Sequence, residues 1–254
     1  MSMTILNWNT EWLGPGSKNG RFRKARELIS KFDPDVICLS EARAETMPEC
    51  GHTITSGLSG AGNMEKRGGR KVVLWSRFGW TNIDTLGSDK LPEGRYVSAT
   101  TECKGIEFHF VGMCIPYHGY RNHERWAEDR KGNWQGACEY LDALREDLLT
   151  RQEFRSRTVL LGDFNLQIPP HRYPGRKSDV NQKREATFAG WSIPTAGEWD
   201  DAALDRRFID HIAHTPDLRL RSMQFFSRIG DDGSKLSDHN GVCIEIAANS
   251  QISQ

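Results

Sequence analysis

The sequence contains no apolar run approaching the ~20 residues that cross a bilayer as a helix, which argues against a membrane-embedded protein. It has no excess charge of either sign. Lys+Arg and Asp+Glu each count 34 over 254 residues, so bulk charge alone does not hold a polyanion, although local basic stretches remain. Its six cysteines include no CxxC pair and no histidine at zinc-finger spacing. Cys38 and Cys243 lie in the apolar runs VICLS and GVCIEI, where free buried thiols are expected rather than a disulfide framework. No repeat or low-complexity linker divides the chain, so one domain over 1–254 is expected. The apolar run Thr4-Ile5-Leu6 begins almost at once and leaves no room for a cleavable signal segment. A reducing cytoplasm is then the simplest compartment.

What is present is an ordinary globular composition, 37% hydrophobic and 27% charged, with enough apolar material for a core. Short β-branched or aromatic runs recur at 4–8, 36–39, 71–75, 96–101, 106–115, 158–161, 208–213 and 242–246, most of them bounded by Gly, Pro or Asp. Two stretches read as amphipathic helices. Phe22, Ala25, Leu28, Ile29 and Phe32 form one apolar stripe that Asp33-Pro34 stops, and Trp134, Ala137, Leu141, Leu144 and Leu148 form another. Many strands with a few interspersed helices predict an α/β sandwich. The stretches 51–70 and 167–190, rich in Gly, Pro and Arg, read as long loops.

Polar residues fall at telling places relative to these strands. The first run ends on Asn7-Trp8-Asn9, the second on Ser40-Glu41, and the run before Gly162 on Asp163-Phe164-Asn165. Asp210 sits inside an apolar run, where burying an unpaired carboxylate is costly, and Ser237-Asp238-His239 precedes the last strand. Taken singly, Glu41 is an ordinary solvated carboxylate, Asp163 a turn former or helix cap, and His239 a surface histidine. Brought together at one sheet rim, they form an oxygen-rich cluster suited to Mg²⁺ or Mn²⁺, with a histidine able to act as acid, base or electrophile.

The motifs WN (8–9), SE (40–41), GDFN (162–165), ID (209–210) and SDH (237–239), in this order, resemble the endonuclease/exonuclease/phosphatase superfamily from residue 4 to about 246. The resemblance implies a four-layered α/β sandwich, two mixed β-sheets packed face to face with helices outside and the site at one rim. It also implies Glu41, Asn9 and Asp238 as metal ligands, with Glu11 a plausible acidic neighbour. Asp163 would orient or deprotonate the attacking water, and Asn165 would donate to a phosphoryl oxygen. Asp210 would fix the tautomer of His239, which either contacts the scissile phosphate or serves as the base. Asn7 and Arg95 are further candidates for substrate contact. Two departures stand out. Relatives often carry Gln where Ser40 stands, and at the end of the 106–115 run, where they place a catalytic His or Tyr, this chain has Cys114. His118, or else Tyr117, is expected to reach the site in its place.

Basic clusters at 21–24, 66–71, 121–130 and 172–184, interleaved with Tyr120, Trp126, Tyr173 and Trp191, suit a nucleic acid strand, unless they are solvated charges balanced by neighbouring acids. The leading expectation is therefore a Mg²⁺- or Mn²⁺-dependent nuclease, with DNA favoured over RNA and no membrane partner. A phosphatase or phosphodiesterase for a small or lipid-linked phosphate is the alternative, although no anchor or basic amphipathic helix supports a lipid substrate. An inert relative used as a binding module is the third reading, and the retained acid and histidine set argues against it.

Overall fold

A computed structural model of the chain describes residues 2–118, 134–168 and 178–249, with residue 178 described by its backbone alone. The sequence candidates Tyr120, Trp126 and Tyr173, with the basic residues of 121–130 and 172–177, lie outside this set.

Eleven strands are described: β1 (Ser2–Asn9), β2 (Val36–Arg43), β3 (His52–Thr55), β4 (Gly69–Ser76), β5 (Trp80–Asp84), β6 (Tyr96–Cys103), β7 (Ile106–Cys114), β8 (Thr158–Asp163), β9 (Ile212–His214), β10 (Leu218–Phe226) and β11 (Gly241–Ala248). They form a six-stranded sheet, ordered β10-β11-β1-β2-β4-β3, and a five-stranded sheet, ordered β5-β6-β7-β8-β9. Both are mixed, since β1 runs parallel to β2 and β7 parallel to β8 while the other pairs are antiparallel. The helices are α1 (Arg21–Lys31), the single turn α2 (Asn63–Lys66), α3 (Gln135–Ala143) and α4 (Ser178–Thr187).

Strand periodicity sorts the side chains into layers. Ile5, Val36, Cys38, Val72 and Leu74 of the first sheet meet Val97, Phe108, Phe110, Val159, Leu161 and Ile212 of the second in a core between the sheets. The alternate residues Leu6, Trp8, Ile37, Leu39 and Val73 face outward and pack with Ala25 and Ile29 of α1. On the other outer face, Val111, Met113 and Leu160 pack with Tyr140 and Leu141 of α3 and Val180 of α4. The result is helix, sheet, sheet, helix.

Several sequence expectations need correction. Of the run 208–213, only Ile212–His214 pairs as a strand; residues 208–211 run beside β8 through single backbone bonds, including Phe164 N–H to Ile209 O. The stretch 51–70 contains β3 and α2, and 167–190 contains α4. The second amphipathic stripe begins at Gln135, after Trp134 in a left-handed conformation, and its last turn, Leu144–Leu148, widens to a π-helix.

One glycine is indispensable. Gly162 has φ +140°, and a Cβ there would stand 1.9 Å from the Met113 carbonyl oxygen on the neighbouring strand. The expected outcome of Gly162→Ala is a loss of at least about 3 kcal/mol in unfolding free energy, from combined strain and overpacking. An unchanged denaturant midpoint would contradict this account.

Candidate active site

The inward faces of the central strands are apolar along their length and turn polar at one end. On β1 the inward series runs Ile5, Asn7, Asn9; on β2 it runs Val36, Cys38, Ser40; on β8 it runs Val159, Leu161, Asp163. Polar groups buried between two sheets need partners, and here each finds one across the gap. Asn7 Nδ2 donates to the carbonyls of Gly162 (3.1 Å) and His211 (3.2 Å). Asn9 Nδ2 donates to Asp163 Oδ2 (3.1 Å), and the backbone N–H of Asp163 donates to Ser40 Oγ (3.1 Å). Ser40, a departure from the family pattern, is thus a cross-sheet anchor.

The 237–239 turn is fastened to the end of β1. Ser237 Oγ donates to the Asn9 carbonyl (2.6 Å) and accepts from His239 N–H (3.1 Å), while Trp8 Nε1 donates to the His239 carbonyl (2.8 Å). This fixes the His239 ring against Asp210, with Nδ1 2.6 Å from Asp210 Oδ2. Atoms of Asp163, Asp210 and His239 that could each bind a cation lie within 4.8 Å of one another.

Asp163 is buried and well held. Its Oδ1 accepts the Asn165 backbone N–H (2.9 Å), and its Oδ2 accepts the side-chain amides of Asn9 and Asn165. Burial, reinforced by the Asp210 charge, nevertheless pushes its carboxyl up to about 7. Asp210 is likewise raised, because burial outweighs the help of the imidazole beside it. For His239, burial opposes the charged ring, but the Asp210 contact and the other acids overcome it and lift the imidazole to about 10. These acids favour the protonated ring. Asn165, at φ +53°, donates one amide hydrogen bond to the Ile115 carbonyl (2.9 Å) and the other to Asp163. With both amide hydrogens engaged, it orients Asp163, and donating to a phosphoryl oxygen requires it to give one of them up.

The remaining candidates are placed unequally. Glu41, at φ +47°, lies at the same rim with its Oε1 2.6 Å from Lys71 Nζ. Asp238 is half-exposed, and its Oδ1 lies 3.9 Å from His239 Nε2. Glu11 is drawn into ion pairs with Arg21 (3.0 Å) and Lys235 (2.9 Å). Asn7 and Arg95 are interior: Asn7 is fully buried on backbone carbonyls, and Arg95, 3% exposed, donates to the Cys114 carbonyl at 3.1 Å. Neither side chain is exposed to solvent. Cys114 ends β7 directly opposite Asp163, and burial drives its thiol up to about 12, so it remains neutral. Tyr117 and His118 are exposed; Tyr117 packs edge-on to His118 (6.0 Å between centroids), and His118 leans on Trp134 (5.7 Å). They are not drawn into the acid cluster.

The donor set fits a divalent ion. It is rich in carboxylate oxygens, and Asp210 Oδ1 and Asp238 Oδ1 are both buried without a hydrogen-bond partner. Beside it opens a cavity of about 400 Å³, lined in part by Trp199, Arg206, Arg207 and Phe208, with Arg206 donating to the Asp238 carbonyl (2.9 Å). Arg206 falls in none of the sequence motifs, and Lys71, Ser40 and Ser237, though they lie in a basic cluster and in the SE and SDH motifs, carry no role that sequence alone assigns. In the fold, Lys71 sits between the Ser40–Val72 and Ala42–Arg70 pairs, across from Glu41.

A profile of the Endonuclease/Exonuclease/phosphatase family matches residues 6–239. No curated protein matches significantly. Among solved structures, an AP endonuclease from Archaeoglobus fulgidus is 20% identical at a TM-score of 0.64, covering 95% of this chain and 98% of its own. The human Nocturnin catalytic domain with bound sulfate is 16% identical at 0.67, covering 98% and 95%. D. rerio TDP2 complexed with single-strand DNA product is 14% identical at 0.64, covering 97% and 99%.

The electrostatics generate a direct expectation. In Asp210→Asn the raising influence on His239 is largely lost while burial remains, so the ring should titrate well below about 10. Following the imidazole by NMR checks this, and an unchanged titration would refute the assigned cause.

Proposed function

The chain belongs to the Endonuclease/Exonuclease/phosphatase family, and on that premise we propose that it hydrolyses phosphodiester bonds as a divalent-metal-dependent nuclease, DNA favoured over RNA. The observation that carries this reading is the convergence of a buried carboxyl poised near neutrality with a carboxylate-backed imidazolium, within 4.8 Å.

Glu41, Asn9 and Asp238 would hold Mg²⁺ or Mn²⁺. When bound, the ion supplies Lewis-acid neutralisation of the phosphate charge. The protein's own groups divide the remaining work. Asp163 takes the proton of the attacking water, since a base titrating near 7 is both free to accept at neutral pH and strong enough to do so. His239, protonated and held at Nδ1 by Asp210, presents Nε2–H to a phosphate oxygen and offsets the charge that grows there. Asn165 and Asn9 keep the Asp163 carboxylate from turning away. Arg206, Arg207 and Trp199, beside Glu198 and Asp205 in the lining of the adjoining cavity, supply basic and aromatic groups of the kind that meet a strand's phosphates and bases.

The test is cleavage of linear, circular, single-stranded and abasic DNA with Mg²⁺ or Mn²⁺. Asp163→Asn and His239→Ala should each lower the rate on the order of 10²–10⁴-fold while the proteins stay folded. Turnover of phosphomonoesters with DNA left intact, or partner binding without any turnover, would count against the reading. The rate should also rise as pH passes about 7, where Asp163 loses its proton, and fall above about 10, where His239 loses its own. A profile flat between pH 5 and 9 would remove Asp163 as the base.

A further inference from the structure

The carboxylate expected to be the principal metal ligand already holds a cation. Lys71 Nζ lies 2.6 Å from Glu41 Oε1, and the pair is well shielded, with side-chain exposures of 11% and 24%. The ammonium also sits 4.9 Å from the centre of the Trp12 ring, a distance at which the face of an indole attracts a cation. Space for that ring comes from Gly69, where a Cβ would fall 2.8 Å from Trp12 Cε3. Trp12 is held to the same strand end, its backbone N–H donating to the Glu41 carbonyl. Lys71 belongs to β4, and its neighbours Arg70 and Val72 pair with Ala42 and Ser40 of β2, which holds its root beside Glu41. Carboxylate, indole and strand thus clamp one ammonium at the mouth of the acid cluster.

We propose that Lys71 is a resident cation that competes with the divalent ion for Glu41 and sets the site's metal affinity. This rests on Glu41 being a metal ligand, as proposed above. A divalent ion approaching Glu41 meets the ammonium on the same carboxylate and must either displace it or bind against its repulsion. Trp12 retains the ammonium nearby in both cases, so the competition persists after loading.

The test is Mn²⁺ binding by titration calorimetry or electron paramagnetic resonance, without substrate, on the wild type, Lys71→Met, Glu41→Gln and the double variant, each first checked for fold by circular dichroism. Lys71→Met should bind Mn²⁺ about ten-fold more tightly, because a like charge a few ångströms away has been removed. In the Glu41→Gln background the same substitution should change affinity by less than about two-fold, since the shared carboxylate is gone. Equal or weaker binding by Lys71→Met, with wild-type binding intact, overturns the role of Lys71 alone. Undiminished tightening in the Glu41→Gln background overturns competition at that carboxylate. Failure of all four proteins to bind Mn²⁺ overturns the metal reading itself, and the proposal with it.

Discussion

Everything at the active rim depends on hydrogen bonds that cross from one sheet to the other. Two sheets in face-to-face contact exclude water, and a polar side chain between them is tolerated only when paired. Asn7, Asn9 and Ser40 reach from the first sheet to the backbone of Gly162 and His211, the carboxylate of Asp163 and its N–H. Register thus serves chemistry as well as packing. A one-residue slip of β1 against β2 would turn Asn7 and Asn9 to the α1 side and bring Leu6 and Trp8 inward. The same bonds that seal the core at this end orient the Asp163 carboxyl.

The second constraint is charge. Burial disfavours the ionised forms of Asp163 and Asp210, Glu41 and Asp238 add their carboxylates at the same rim, and the fold answers with two cations of different kinds. His239 is locked to Asp210 by a turn tied at two points to β1, whereas Lys71 rests on Glu41 under an indole. Among the described residues, Asp210 Oδ1 and Asp238 Oδ1 are buried without a hydrogen-bond partner, although Asp238 Oδ1 lies 3.9 Å from His239 Nε2.

Much of this was legible in the sequence because the polar residues interrupt strong apolar runs. GDFN and SDH mark the ends of central strands, and Asp210 stands out in an otherwise apolar segment. What was not legible has specific causes. β10 begins with the alternation Leu218-Arg219-Leu220-Arg221, but a bulge after Leu220 shifts the parity, so that Met223 and Phe225 fall on the face that Leu218 and Leu220 began. α4 carries Val180 with Arg184 and Thr187 as its buried contacts, which leaves no apolar stripe to read. β3 has four residues and β5 is largely exposed, too little periodicity for either. The pairing of Lys71 with Glu41 required knowing the β2–β4 register. The burial of Arg95 required knowing that Cys114 ends its strand behind Asp163.

The bond from the Trp8 indole to the His239 carbonyl joins residues 231 positions apart. It lies beside the pairing of β1 with β11, which closes the interior of the six-stranded sheet. Contacts of such sequence separation carry the entropy cost of closing a long loop. During synthesis the amino-terminal half emerges carrying Asn9 and Glu41 without Asp210 or His239. The candidate site therefore cannot assemble before Asp210 and His239 have joined Asn9 and Glu41, and its assembly accompanies the pairing of β1 with β11.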